Sequence, residues 1–208
     1  NSDGTIDTGF NISTGFNGTV KTIEVQSDGK ILVGGDFTTF SGAAKTALVR
    51  LNDNGSIDNY FYIGVGPNNN VNAISIQSDG KILIGGLFST FNNTSYKNLV
   101  RLSSGGSIDT SFNIGTGFVN QPTNTSGDIT SRVNSIKISG NNILVGGLFT
   151  SFNNIAKTNF VSLNLDGTID SNFNIGTGFL GDFGDDANYT KPQVFALAIQ
   201  TDSKVLAV

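Results

Sequence analysis

Four stretches of the chain place apolar residues at their first, fourth and sixth positions. The last three residues of each stretch mostly alternate between the inside and the outside of a sheet, which is the period of a half-buried β-strand. Nowhere do apolar residues recur at helical spacing over three turns, so the pattern predicts strands. The stretches are VKTIEV (20–25), VNAISI (71–76), VNSIKI (133–138) and VFALAI (194–199).

The predicted strands run into a short turn and a second apolar run. In the first two, the turn is Ser-Asp-Gly, and an Asp-Gly pair supplies the positive φ of a tight hairpin turn. The second run ends in a Gly-Gly pair at 34–35, 85–86 and 146–147. Paired glycines in a strand indicate a bulge or the close approach of another backbone. We therefore predict a β-hairpin in each unit, with an irregularity near its end.

The same blocks recur along the chain. An Ile-Asp pair begins at Ile6, Ile57, Ile108 and Ile169, at spacings of 51, 51 and 61 residues. A further strand such as ALVRLN (47–52) precedes each of the last three pairs. Each period therefore holds about four short antiparallel strands, which is the number typical of a β-propeller blade. We predict an all-β fold, a β-propeller segment of about 3.5 to 4 four-stranded blades.

The repeats divide the chain into units of approximately 1–52, 53–103, 104–164 and 165–208 within one domain. The chain opens on a turn and stops where a Gly-Gly pair is expected. Because propeller rings commonly close with roughly 4–8 blades, we expect a fragment of a larger protein, whose remaining blades or another chain close the ring. A four-bladed ring completed by a terminal strand is the alternative.

Most of the phenylalanines occupy fixed repeat positions. Such rings are expected to form the core between blades, where each buried ring stabilises by roughly 1.5–3 kcal/mol. They are Phe10, Phe61, Phe112 and Phe173 after the Ile-Asp pair, Phe37, Phe88 and Phe149 after Gly-Gly, and Phe40, Phe91 and Phe152 three residues later.

Composition excludes several classes of function. The 208 residues include no His, Cys, Met or Trp, which rules out a Ser-His-Asp triad, a Cys nucleophile, a His or Cys metal site and a disulfide. Only 13% of the residues are charged, the net charge is -4, and no basic cluster occurs. We therefore expect no nucleic-acid partner. No apolar run is long enough for a membrane helix, so we expect no membrane insertion.

The pattern DG-[ST]-ID-x-x-FN, followed by QSDGKIL-[VI]-GG-x-F-[TS]-x-F and LVRLN, resembles the delta-60 repeat. This is a family of bacterial and phage-associated β-propeller-like repeats, found mainly in large secreted or cell-surface proteins. The resemblance covers essentially the whole chain. It implies a propeller-type scaffold used in binding or assembly, and it implies no catalytic residues.

Two insertions stand at one structural position. Ten residues separate the repeat Phe from the Val of the next strand in the first two units, and 21 separate them in the last two. We expect the inserted segments, 119–132 and 180–193, to be neighbours on one rim of the propeller. Insertions on one face of a repeat scaffold are the first candidates for binding, so we expect a protein or glycan partner there.

The second insertion carries the candidate ligand-binding residues Asp182, Phe183, Asp185, Asp186 and Tyr189. Its carboxylates could hold Ca²⁺, although their spacing is not that of an EF-hand. A solvated acidic loop is the alternative, and no other cofactor is expected. The aspartates of the Asp-Gly turns, such as Asp3 and Asp166, could also chelate, but capping their own turns is the simpler account.

Together these features predict a non-enzymatic binding or structural module. The expected setting is an adhesin-type protein that is secreted or lies on a bacterial cell surface. A structural or receptor-binding component of a phage tail or fibre, and hence of a virion, is the alternative. A carbohydrate hydrolase built on a propeller is a more distant one, because carboxylate pairs alone do not exclude it.

Overall fold

The computed structural model describes residues 2–120, 130–176, 179 and 192–208. The described part of the chain consists of short strands and turns, and it contains no helix long and apolar enough to cross a membrane. The all-β prediction is therefore confirmed.

The strands follow the sequence repeats in order. The first repeat contains β1 (Val20–Val25), β2 (Ile31–Gly35), β3 (Thr39–Phe40), β4 (Ala43–Ala44) and β5 (Leu48–Leu51). The second contains β6 (Val71–Ile76), β7 (Ile82–Gly86), β8 (Thr90–Phe91), β9 (Thr94–Ser95) and β10 (Leu99–Leu102). The third contains β11 (Phe118–Val119), β12 (Arg132–Ser139), β13 (Asn142–Leu148), β14 (Ser151–Phe152), β15 (Ile155–Ala156) and β16 (Phe160–Asn164). The last contains β17 (Leu197–Ile199) and β18 (Val205–Ala207).

Three equivalent antiparallel sheets form the blades, in the strand orders β1-β2-β5, β6-β7-β10 and β12-β13-β16. The hairpin β17-β18 begins a fourth blade. Between the second and third strands of each complete blade lies a small hairpin, β3-β4, β8-β9 or β14-β15, and β11 also pairs with β14. The repeat register read from the sequence is therefore the register of the blades.

The fourth strand of each blade is shorter than the sequence predicts. The Ile-Asp segment contributes one bridge to the third strand, as in Leu51 to Ile57 and Leu102 to Ile108. The chain then turns at once, because the Asp58 carboxylate accepts a hydrogen bond from the Tyr60 backbone N–H at 3.0 Å. This turn prevents the ladder from continuing.

Consecutive blades pack face to face through their first strands. Val71 and Ile74 of β6 are buried in one cluster with Leu32 of β2. The next interface repeats this arrangement with Val133 and Ile136. Each interface removes large aliphatic side chains from water, so blade packing supplies much of the stability.

The Gly-Gly pair meets two different close contacts. A Cβ on Gly85 would lie 2.5 Å from Cγ1 of Val133 in the next blade, and a Cβ on Gly86 would overlap the carbonyl oxygen of Asn70. The second contact lies where the β6-β7 register shifts between Val71 and Ala73. Both the bulge and the close backbone approach that the glycines predict are confirmed.

The repeat phenylalanines pack as expected, except that Phe173 is half-buried and Phe10 is partly exposed. Those that follow Gly-Gly are buried in every repeat: Phe37, Phe88 and Phe149. Phe10, by contrast, is 36% exposed. Two of the equivalent rings are covered by arginines, with Arg50 over Phe61 at 4.4 Å and Arg101 over Phe112 at 4.6 Å. No arginine of the described chain covers Phe10 or Phe173 in this way.

The apolar face of β1 is more exposed than the same face of β6. Ile23 is 58% exposed, whereas the equivalent Ile74 is buried. The reason is that β1 lies under no preceding blade in the described chain. The strand pattern is the same in both repeats, and only the neighbouring sheet decides the burial.

Candidate functional site

The candidate ligand-binding residues of the second insertion lie outside the residues that the structure describes. These are Asp182, Phe183, Asp185, Asp186 and Tyr189, all within 180–191. Their role as ligands for a partner or for Ca²⁺ stays a prediction. Among the residues that the structure describes, no group of three acidic side chains is placed to hold a metal ion.

Aspartates of the Asp-Gly turns cap their own turns, as expected from the sequence. The Asp3 carboxylate accepts hydrogen bonds from the Thr5 backbone N–H at 3.0 Å and from the Thr5 hydroxyl at 2.7 Å. The Asp166 carboxylate accepts the same two bonds from Thr168, at 2.9 and 2.6 Å. These carboxylates therefore stabilise local turns.

The described ends of the two insertions meet. Arg132 closes the first insertion and Gln193 closes the second, and Nε and Nη2 of Arg132 donate to Oε1 of Gln193 at 3.1 and 3.0 Å. This contact agrees with the expectation that both insertions lie on one rim. It also marks the place where the described chain forms a polar cavity.

The cavity, which we call the cup, has a volume of about 430 Å³. It lies at the beginning of the first strands, where each blade contributes the residue that follows the repeat valine. Because the valine is buried between blades, the next side chain points away from that interface. The lining residues are Lys21, Asn70, Asn72, Leu87, Arg132, Asn134, Gln193 and Phe195.

Side-chain amides fix the wall of the cup from blade to blade. Nδ2 of Asn72 donates to the carbonyl oxygen of Val133 at 3.1 Å, and Nδ2 of Asn134 donates to that of Val194 at 2.9 Å. Lys21 donates to Oδ1 of Asn72 at 3.3 Å. The repeated bond holds each amide in one orientation, so the cup is preorganised.

The cup is more positive than the rest of the protein. Lys21 and Arg132 line it, and the Asp36 carboxylate pairs with Lys21 at 2.7 Å. The positions equivalent to Asp36 are Leu87 and Leu148. The described cup therefore has two positive charges and one negative charge, whereas the chain as a whole has a net charge of -4.

Two buried asparagines anchor the insertions, and sequence reasoning missed them. Nδ2 of Asn98 donates to the carbonyl oxygens of Gly86 at 3.0 Å and Ser131 at 2.8 Å. Asn159 makes the equivalent bond to Pro192 at 2.9 Å. Ala47 stands at this position ahead of the short connection 62–70, which has no insertion. That difference, visible in the aligned repeats, is the signal that could have identified the anchors.

A second polar cluster lies between blades but is closed to ligands. Arg101 is 4% exposed; its Nε donates to Asp109 at 2.9 Å, and its Nη1 donates to the carbonyl oxygen of Leu165, directly after β16 of the next blade. Burial alone would raise the pKa of Asp109, but hydrogen bonds from Ser111 and the charges of Arg101 and Lys81 outweigh it and lower the pKa to about 2. This cluster fastens blades together.

Comparison with known proteins identifies a family. A family described as a domain of unknown function (DUF5122) beta-propeller matches residues 26–61, 77–112 and 141–173. These segments make up just over half of the chain, and each begins at or near a hairpin turn and ends at the repeat Phe. No curated protein is similar enough to the chain to count as a match.

Proposed function

Because this chain belongs to the DUF5122 β-propeller family, whose function is unknown, we propose that it is a non-enzymatic binding module whose ligand occupies the cup. Within that family we assign the repeats to the delta-60 type, on the motifs quoted above. The proposal rests on one observation, the cavity of about 430 Å³ lined by fixed polar groups from successive blades.

The dimensions and lining of the cup support a binding role. Ligand sites are concave, are largely preformed, and occupy roughly 300–1,000 Å³ with a few well-placed polar groups. Here the polar groups are amides and cations held by bonds between blades, and the apolar ones are Leu87 and Phe195. A ligand would therefore meet a wall that does not have to reorganise.

The lining also supports binding rather than catalysis. No side chain lining the described cup is a carboxylate, a hydroxyl or a thiol, and its one amine, that of Lys21, is paired with Asp36. The described wall therefore lacks an unpaired group of the kinds that commonly act as nucleophile or general base. The nearby Asp36 is engaged by Lys21. We therefore assign the cup recognition of a ligand and no bond cleavage.

We place the module in an adhesin-type protein that is secreted or lies on a bacterial cell surface. The uncharged Asn, Ser, Thr and Gly surface and the delta-60 resemblance support this setting. A phage tail or fibre is the second candidate. In either setting the insertions at 119–132 and 180–193 would extend the contact with a protein or glycan partner, because their described ends form part of the cup wall.

A blocking substitution tests the site. Leu87 lines the cup, so Leu87→Trp should fill it; Leu165→Trp is the matched control, since Leu165 is exposed and does not line the cup. Each variant would be applied to glycan and protein arrays and to bacterial cell surfaces. We expect Leu87→Trp to abolish attachment and Leu165→Trp to retain it. Unchanged attachment by Leu87→Trp would overturn the proposal.

Removing residues 180–190 tests the contribution of the second insertion. The first two repeats show that ten residues suffice between the repeat Phe and the next strand. Doubling a flexible loop costs only about 0.6 kcal/mol, so the shortened protein should melt within a few degrees of the original while it loses attachment. Full attachment by the shortened protein would limit the site to the cup.

A further inference from the structure

The hydrogen-bond donors of the cup are only partly used by the protein. Arginine has five N–H donors and lysine has three. Arg132 uses Nε and Nη2 on one acceptor, Oε1 of Gln193. Lys21 engages Asp36 and Asn72. Nη1 of Arg132, Nε2 of Gln193 and one N–H of Lys21 have no partner among the described residues, so the cup offers donors and positive charge.

The cup acceptors that pair with these cations are already occupied. Oε1 of Gln193 takes bonds from Arg132 and, at 3.1 Å, from Nδ2 of Asn134; Oδ1 of Asn72 takes the bond from Lys21. A ligand that fits the remaining donors must carry acceptor oxygens. A carboxylate is the group that best matches a guanidinium, because it accepts two parallel bonds.

Two other features of the cup suit a sugar ring. Phe195 lines the cavity and is 64% exposed, so its ring is open to a ligand. Exposed aromatic faces pack against the apolar faces of pyranose rings. The amide oxygens of Asn70 and Asn134 have no donor among the described residues and are available to sugar hydroxyls.

We propose that the cup binds a hexuronate residue of an acidic polysaccharide, with its carboxylate at Arg132 and Lys21 and its ring against Phe195. This inference rests on the proposed function and names the ligand class of the same site. A neutral sugar would leave Arg132 without a matching negative charge, and a peptide of acidic residues alone would leave Phe195 without a ring to pack on.

The test compares acidic polymers with their neutral counterparts. Polygalacturonate, alginate and hyaluronan would each be titrated into the purified chain by calorimetry, alongside the same polymer after its carboxyl groups are reduced to alcohols. Poly-glutamate serves as an acidic polymer without a ring. We expect at least one uronate polymer to bind, its reduced form to bind at least about tenfold more weakly, and poly-glutamate not to bind.

Variants assign the contacts. Arg132→Gln and Lys21→Gln should each weaken the acidic polymer about tenfold and leave the reduced form unchanged, whereas Phe195→Leu should weaken both forms. Lys137→Gln is the control, because Lys137 is exposed on β12 outside the cup and its loss changes the net charge equally. Circular dichroism melts establish that each variant is folded. The comparison of polymers uses the unaltered protein, so it does not depend on the folding of any variant.

The outcomes separate the inference from the proposed function. Equal affinity for acidic and reduced polymers, binding of poly-glutamate, or no binding of any uronate polymer would overturn the hexuronate assignment. If Leu87→Trp still abolishes attachment to another ligand in those cases, the binding role of the cup stands. If attachment is insensitive to Leu87→Trp, the binding role of the cup fails as well.

Discussion

A methyl group added at Gly85 should destabilise the protein through one identifiable contact. The new Cβ of Gly85→Ala would lie 2.5 Å from Cγ1 of Val133, 2.9 Å from Cδ1 of Ile136 and 3.1 Å from Cβ of Val133. Overpacking of a well-filled interface costs about 1–3 kcal/mol. Gly85 has no positive φ, so alanine also gains about 0.4–1 kcal/mol by restricting the unfolded chain. The net loss should be about 1–2 kcal/mol.

A second substitution isolates that contact. Val133→Ala removes the Cγ1 atom and by itself should cost about 2 kcal/mol, from two lost methyl groups and the resulting cavity. In the double variant the alanine at position 85 occupies part of the space that Val133 vacates. We therefore expect the double variant to be more stable than the sum of the single effects, by about 1–2 kcal/mol.

Urea titrations followed by circular dichroism measure the four free energies of unfolding. Gly86→Ala is the matched control, because its Cβ overlaps a backbone carbonyl, that of Asn70, which Val133→Ala does not move. The Gly86→Ala and Val133→Ala effects should add. If Gly85→Ala and Val133→Ala also add within about 0.5 kcal/mol, the glycine is not reserved for the valine of the next blade and this account of the interface is wrong.

Two further predictions concern the blade interfaces. The stability contributed by the lowered pKa of Asp109 is present above about pH 4 and is lost as the pH falls from the usual pKa of 3.8 to about 2. Asp109→Asn should remove this pH dependence in urea titrations. Because it leaves Arg101 without its carboxylate, it should also cost about 3 kcal/mol at pH 7. Phe88→Ala should cost about 3–5 kcal/mol, because the ring is fully buried, and Phe10→Ala well under half of that; equal losses in thermal melts would contradict the burial argument.

The strands and their register could be predicted from the sequence because they depend on local features. The Asp-Gly turns at 28–29 and 79–80 lie between apolar runs and join the hairpins β1-β2 and β6-β7, and a repeated Phe predicts a repeated core position. The fourth strand was overestimated for a local reason too, since the Asp58 carboxylate caps a turn directly after the bridge at Ile57. The alternation of apolar and polar residues in the sequence does not show where the fourth strand ends and the turn begins.

The cup could not be predicted in the same way. Its walls combine single residues from successive repeats, such as Lys21, Asn72 and Asn134, and each alone reads as an ordinary polar position on a half-buried strand. Their convergence depends on the packing of the first strands against one another. Length differences between repeats directed attention to the insertions, whose described ends do reach the cup at Arg132 and Gln193.

The repeats separate positions that fold the chain from positions that face the cup. The first strand of each blade begins with valine in all four repeats, and in the last three that valine packs against a glycine of the preceding sheet. The following residue is Lys21, Asn72, Asn134 or Phe195, four positions with three chemistries. Asn72 and Asn134 donate from this position to the carbonyl oxygen of the next valine, whereas Lys21 bonds the side chain of Asn72. Under the binding role proposed above, a substitution at this position would change what the cup recognises while the valine beside it still packs against the neighbouring sheet.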